Sequence, residues 1–147
     1  MAKCEEQLPV MYFELPEGVP VETVLMNIGR RFHRLVNSKE SVNLHRLMMT
    51  LGSQDPKLSQ IFFEAGPLRV LREMEALLQR VDQHGLLRIE QPARAAEHFF
   101  CLLKGLVYMR VLMGLCPPPD RATREAHVRE VVALFVAAYR PASGRAQ

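Results

Sequence analysis

Tryptophan is absent from these 147 residues, and aromatic residues make up only 7%. An interior must therefore be built from aliphatic side chains, phenylalanine and the eight methionines. Two-residue alternation of apolar and polar positions is nowhere sustained, and Gly-rich strand–turn signals are missing, which argues against a sheet. Cys4, Cys101 and Cys116 are an odd number without framework spacing. They exclude a disulfide scaffold and fit a reducing cytoplasm, the expected location. No apolar run reaches the roughly 20 residues of a membrane span, and Glu5, Glu6, Glu14 and Glu17 interrupt the first 20 residues. Neither a membrane segment nor a signal peptide is expected. A net charge of +3 is compatible with nucleic-acid contact without arguing for it.

Catalytic signatures are missing as well. The chain has no Gly-rich phosphate loop, no Gly-x-Ser-x-Gly elbow, no His-Glu-x-x-His, no Cys-x-x-Cys and no Glu-x-x-His. His98 and Cys101 stand three apart on one expected helix, but zinc needs three or four ligands and no second pair has matching spacing. Neither His84 nor His98 has the setting of a haem ligand. No cofactor and no metal are expected, and the chain is not read as an enzyme. A small helical metal carrier, haem carrier or enzyme stays as an alternative.

What the chain does have is three-and-four spacing of apolar residues, with 48% hydrophobic and 24% charged residues overall. This predicts a single all-α domain, a bundle of about seven helices. The clearest punctuation lies at 55–67. Asp55 caps a helix with Pro56 in its first turn, Gly66 ends it, and Pro67 opens the next. The expected helices are 3–13, one opening at Pro20, then 39–52 capped by Ser38, 56–65, 67–84 with Gly85 as left-handed cap, 92–115, and 120–140 capped by Asp120. Residues 86–91 form an extended link, Pro117 to Pro119 a rigid break, and 141–147 a frayed tail.

Helix 92–115 is apolar on two sides. One stripe carries Ala95, Phe99, Leu102, Leu103, Leu106 and Met113; the other carries Phe100, Val107 and Val111, with Tyr108 at its edge. Helix 120–140 pairs Val128, Val131, Val132, Phe135 and Tyr139 with a face of Ala133, Val136 and Ala137. Two-sided helices need cover on both sides. Two from each of two chains would close as a four-helix bundle, so a homodimer is expected through Phe100, Val107, Val111, Ala133 and Val136. Helix 39–52 is two-sided too: Val42, His45 and Met49 on one stripe, Leu44, Leu47 and Leu51 on another.

Flexible thioethers and aromatic rings projecting from converging helices suit a cavity for apolar molecules, although ordinary core filling uses the same residues. The ligand-contact candidates are Phe32, His45, Met49, Phe62, Met74, Phe99, Leu103 and Arg110. His45 shares an apolar stripe, where a hydrogen-bonded core role is the commoner one. Arg110 falls near the centre of the Ala95–Phe99–Leu103–Leu106 stripe and needs a partner there: a carboxylate such as Glu64 or Glu73, or an anionic or carbonyl-bearing ligand.

Several stretches resemble a known family. These are His45-Arg46-Leu47-Met48-Met49, Asp55-Pro56-x-Leu58, Phe62-x-Glu64-Ala65-Gly66-Pro67, Leu87-Arg88-Ile89-Glu90-x-Pro92-x-x-Ala95-Ala96-x-x-Phe99, Leu103-x-Gly105, and Arg110-x-Leu112-x-Gly114-Leu115 before the proline break. Their order and spacing are similar to the C-terminal domain of TetR/AcrR-family transcriptional regulators, nearest the AefR-like subgroup, over roughly 20–140. The resemblance implies an all-helical domain that binds a small effector between its helices and dimerises through its last two long helices. Ligand binding would change the separation of two N-terminal helix-turn-helix heads and so release operator DNA.

The 147 residues include no such head, and residues 1–8 resemble the connecting helix that follows one. On this reading 1–19 is a remnant of connecting helix and linker, and 20–140 is the effector and dimerisation domain. A fragment, a late start codon and a natural headless form stay open as origins. The expected partners are a second copy, a small apolar effector, and operator DNA only through a head; no membrane is expected. A headless protein that pairs with a full-length relative is the alternative interaction role.

Overall fold

The helix boundaries follow from local chemistry at each end. The computed structural model describes residues 13–141, and among these it forms six helices and no strand: α1 (Val21–Val36), α2 (Lys39–Leu51), α3 (Pro56–Ala65), α4 (Pro67–Gln83), α5 (Pro92–Leu112) and α6 (Arg121–Ala138). The helix expected at 3–13 and the tail beyond 141 lie outside the described residues.

Three helix starts use a side-chain cap. Ser38 Oγ accepts from the Ser41 amide at 3.2 Å, Asp55 Oδ1 from Leu58 at 3.2 Å, and Asp120 Oδ1 from Thr123 at 2.8 Å. Each satisfies one of the amides a first turn leaves without a partner. Proline opens α3, α4 and α5, where its missing N–H costs nothing. α4 closes as a Schellman turn. Gly85 takes φ 73°, its amide donates to Asp82 O, and the Leu86 amide donates to Val81 O. Gly114 closes α5 in the same way, with Leu115 donating to Arg110 O. α5 therefore stops three residues short of the expected 115.

α1 packs chiefly on α6, and α4 on α5; α2 leans against α5 and α1, and α3 rests on α4. The core lies where α1, α4, α5 and α6 converge. Leu25, Ile28, Met74, Leu77, Leu78, Val81, Phe99, Leu103 and Val128 are fully buried there. A run of rings crosses it: Phe32 to Phe100 at 4.4 Å between centroids, Phe99 to Phe135 at 5.0 Å, and Phe135 to Tyr139 at 4.7 Å. Gly29 permits the close approach of α1 and α6, since a Cβ there would stand 2.8 Å from Val128 Cγ1. Arg30 ties the same seam with a two-pronged contact to Glu125, its Nε donating to Oε1 at 2.9 Å and its Nη2 to Oε2 at 2.8 Å. The 86–91 link lies along the ends of α4 and α6: the Ile89 amide donates to Asp82 Oδ1, and the Arg88 amide donates to Tyr139 O.

α5 is broken. Gly105 has φ 61° and ψ −176°, a conformation essentially restricted to glycine. The break frees carbonyls that a continuous helix would satisfy. His127 of α6 takes up two of them, its Nε2 lying 3.0 Å from Leu102 O and 2.9 Å from Leu103 O. Carbonyls only accept, so this nitrogen carries the proton.

Candidate functional site

Helices α1 to α5 enclose a cavity of about 270 Å³. α1 contributes Phe32, Leu35 and Val36, and α2 contributes Ser41, Leu44 and His45. The sharp α3–α4 corner brings in Phe62, Phe63, Gly66, Pro67, Val70 and Leu71. α5 closes the wall with Glu97, Phe100, Cys101 and Lys104. The spacing of these last four places them on one side of the intact first half of α5, upstream of the break at Gly105. Most of the wall is aliphatic or aromatic, which suits an apolar molecule, and a few polar groups are available to orient it.

The polar groups form one connected set. The Tyr108 hydroxyl hydrogen-bonds His45 Nδ1. The two rings meet nearly edge-on, 5.8 Å apart, and His45 meets Phe62 edge-on at 5.7 Å. Lys104 Nζ sits 4.9 Å from the centre of the Tyr108 ring, within cation–π range. Burial pushes the Tyr108 phenol up to about 12, so it stays protonated at neutral pH. Burial, and then the charge on Lys104, hold His45 below its ordinary value, so the imidazole stays neutral. Burial also lowers Lys104.

A second hollow adjoins the first, with Cys101 lining both. It is an open groove between α5 and α6, lined by His98, Cys101, Leu102, Leu134, Phe135, Ala138 and Tyr139. Among the described residues, no cluster of three or more His, Cys, Asp or Glu side chains is placed to hold a metal ion. No helix among them is long and apolar enough to cross a membrane.

The expected ligand contacts separate into three groups. Phe32, His45 and Phe62 come together on the cavity wall. Met74, Phe99 and Leu103 are fully buried in the core and do not line it. Met49 is 71% exposed and lies off the cavity. Arg110 is exposed, and neither Glu64 nor Glu73 forms an ion pair with it. The expectation that Arg110 sits in the stripe of Ala95, Phe99 and Leu103 assumes a continuous helix, and the Gly105 break changes the helical phase ahead of it.

The five residues expected at the pairing face are mostly turned inward within one chain. Phe100 turns inward as part of the cavity wall, Val111 and Val136 are buried, and Val107 is half-buried. Only Ala133 among the five is exposed. The outward apolar side chains are Leu102, Leu106, Met109 and Met113 on α5 and Leu134 on α6.

Sequence reasoning misses Lys104, Glu97, Cys101 and Phe63 as wall residues. A signal exists for the first: Phe100 and Lys104 stand four residues apart, which sets a cation beside an aromatic on one helix face.

Five of the six helices line an apolar cavity, and α5 and α6 carry apolar side chains on their outer side. The chain belongs to the AefR-like transcriptional repressors within the TetR family, matching their C-terminal domain over residues 23–141. Two solved structures share the fold at a TM-score of 0.80. One is described as a TetR-family transcriptional regulator from Mesorhizobium loti, 23% identical, covering 94% of this chain and 66% of that one. The other is the flavonoid-responsive regulator FrrA, 21% identical, covering 93% of this chain and 69% of that one. The chain thus spans about two-thirds of the length of each. No curated protein matches.

Proposed function

We propose that this domain binds a small, largely apolar effector in the cavity between α1 and α5, pairs with a second copy through α5 and α6, and has no catalytic role. The observation that carries the reading is the cavity itself. A folded domain rarely leaves about 270 Å³ open among phenylalanine and aliphatic side chains, because close packing is the favoured alternative. The effector would rest against Phe32, His45 and Phe62, the three wall residues expected from the sequence, and against Phe100 and Lys104. A flat aromatic molecule, the shape of the flavonoids named for FrrA, suits walls of this composition.

Pairing is supported by Leu102, Leu106, Met109, Met113 and Leu134, large apolar side chains left open to water on adjoining helices. Large apolar side chains gathered on adjoining helices are the usual material of interaction surfaces, and a two-fold axis lets one face cover itself. Control of DNA would follow by population shift. The effector must bind one arrangement of α5 and α6 better than another, and that difference in affinity sets the size of the response. Any operator contact belongs to a segment other than residues 23–141.

Native mass spectrometry tests this reading. The expected result is a dimer carrying a small organic mass that is released on unfolding. A monomer with no capacity for apolar small molecules would overturn it.

A further inference from the structure

Lys104 is a cavity cation without an anion. Its ammonium rests against the Tyr108 ring, and among the described residues no carboxylate forms an ion pair with it. A lysine that served only solubility would extend its head into water. This one is half-buried on an apolar wall, and burial has lowered its pKa.

The neighbouring groups add a donor. A phenol donates more readily than it accepts, and an imidazole nitrogen is the better acceptor, so the Tyr108 hydroxyl donates to His45 Nδ1. The neutral ring then carries its proton on Nε2, as an N–H donor on a cavity residue. Glu97 is the one carboxylate among the lining residues, and it is exposed, where water and salt screen its charge. The interior is therefore rich in donors and positive, inside walls that are otherwise apolar. An amine would be repelled by Lys104, and a hydrocarbon would leave its ammonium desolvated and unpaired.

We propose that the cavity takes an apolar monocarboxylate, its hydrocarbon body against Phe32, Phe62 and Phe100 and its carboxylate on Lys104, with the His45 N–H beside it. The proposal rests on the reading of the cavity as an effector site and names the chemistry of its ligand.

The test uses N-phenyl-1-naphthylamine, a neutral apolar dye that brightens in dry pockets, and two competitors of matched shape, 2-naphthoate and 2-naphthamide. Dye binding to the wild-type protein reports the cavity independently of charge. The expected result is that 2-naphthoate displaces the dye about ten- to a hundredfold more effectively than 2-naphthamide, the range for a hydrogen bond between charged groups against a neutral one. Lys104→Met abolishes that preference, and Lys104→Arg restores it. Equal displacement by the two competitors, unchanged in Lys104→Met, would overturn the carboxylate assignment while leaving the cavity as an apolar effector site. Failure of the dye to bind the wild-type protein would overturn both.

Discussion

The two halves of α5 are similarly apolar in sequence and have opposite fates. Before Gly105, Ala95, Ala96, Phe99, Phe100 and Leu103 are buried and, of the large apolar side chains, Leu102 alone is exposed, at 40%. After it, Leu106, Met109 and Met113 are 61%, 56% and 67% exposed, and Val111 alone is fully turned inward. The first half completes the core and the cavity wall. The second half presents large side chains to water. One glycine in a left-handed conformation separates the two, and His127 holds the carbonyls that the break exposes. Hydrophobicity alone therefore does not separate a buried face from an exposed one; the phase of the helix does.

The comparison is broken most strongly in the buried half. Phe99→Ala should cost about 3–5 kcal/mol of folding stability, the usual range for emptying a buried aromatic site, read from chemical denaturation. A loss under about 1 kcal/mol would mean that this half is not the core.

Acid should act on the seam between α1 and α6. His33 is buried on α1, its ring 5.5 Å from that of His127. Burial first, and then the positive neighbours His127 and Arg124, hold its pKa at about 4 against an ordinary 6.5. Between those values the unfolded chain binds a proton that the folded chain refuses. The contribution of His33 is therefore complete above pH 6.5 and lost as pH falls toward 4, about 3 kcal/mol in all. Denaturation midpoints at about pH 7 and about pH 4.5 should differ accordingly, and His33→Gln should remove most of the difference. An equal slope in the variant would assign the acid sensitivity elsewhere.

Leu106→Asp probes the exposed half. It should leave helicity unchanged by circular dichroism and weaken self-association by about a hundredfold in sedimentation equilibrium, since pairing would bury two unpartnered carboxylates. Unchanged association would remove this face from the interface. The smallest expected effect is at the break. Gly105→Ala should cost about 1–3 kcal/mol, the range for a side chain forced into such backbone angles, measured by thermal unfolding. A stabilised protein would mean that α5 prefers to run straight.

The helix order is legible in the sequence because its signals are local. Asp55-Pro56, Gly66-Pro67 and Gly85 each settle a boundary through backbone chemistry that needs no tertiary partner, and the structure places them as read. The cavity is legible only in part. Phe32, His45 and Phe62 are readable as apolar positions on converging helices, but Met74 and Phe99 have the same chemistry and fill the core instead. Composition does not say which of two equally apolar residues stops short of contact. The outer face of α5 is misread for a sharper reason. Gly105 reads as one more small helical residue until its φ is known, and every phase assignment beyond it inherits the error. Lys104 escapes notice because a lysine on a helix is ordinarily solvent-facing; its burial depends on Tyr108 and His45, which come from two different helices.

Hydrogen–deuterium exchange of the wild-type protein with and without bound N-phenyl-1-naphthylamine decides which of the two hollows takes an apolar molecule, because apart from α5 they are walled by different helices. Exchange should slow at the end of α1, in α2 around His45, at the Phe62–Pro67 corner and in α5 from Glu97 to Lys104. Protection confined to the α5–α6 groove, around Leu134 to Tyr139, with the first four segments unchanged, would contradict the reading of the cavity as the effector site.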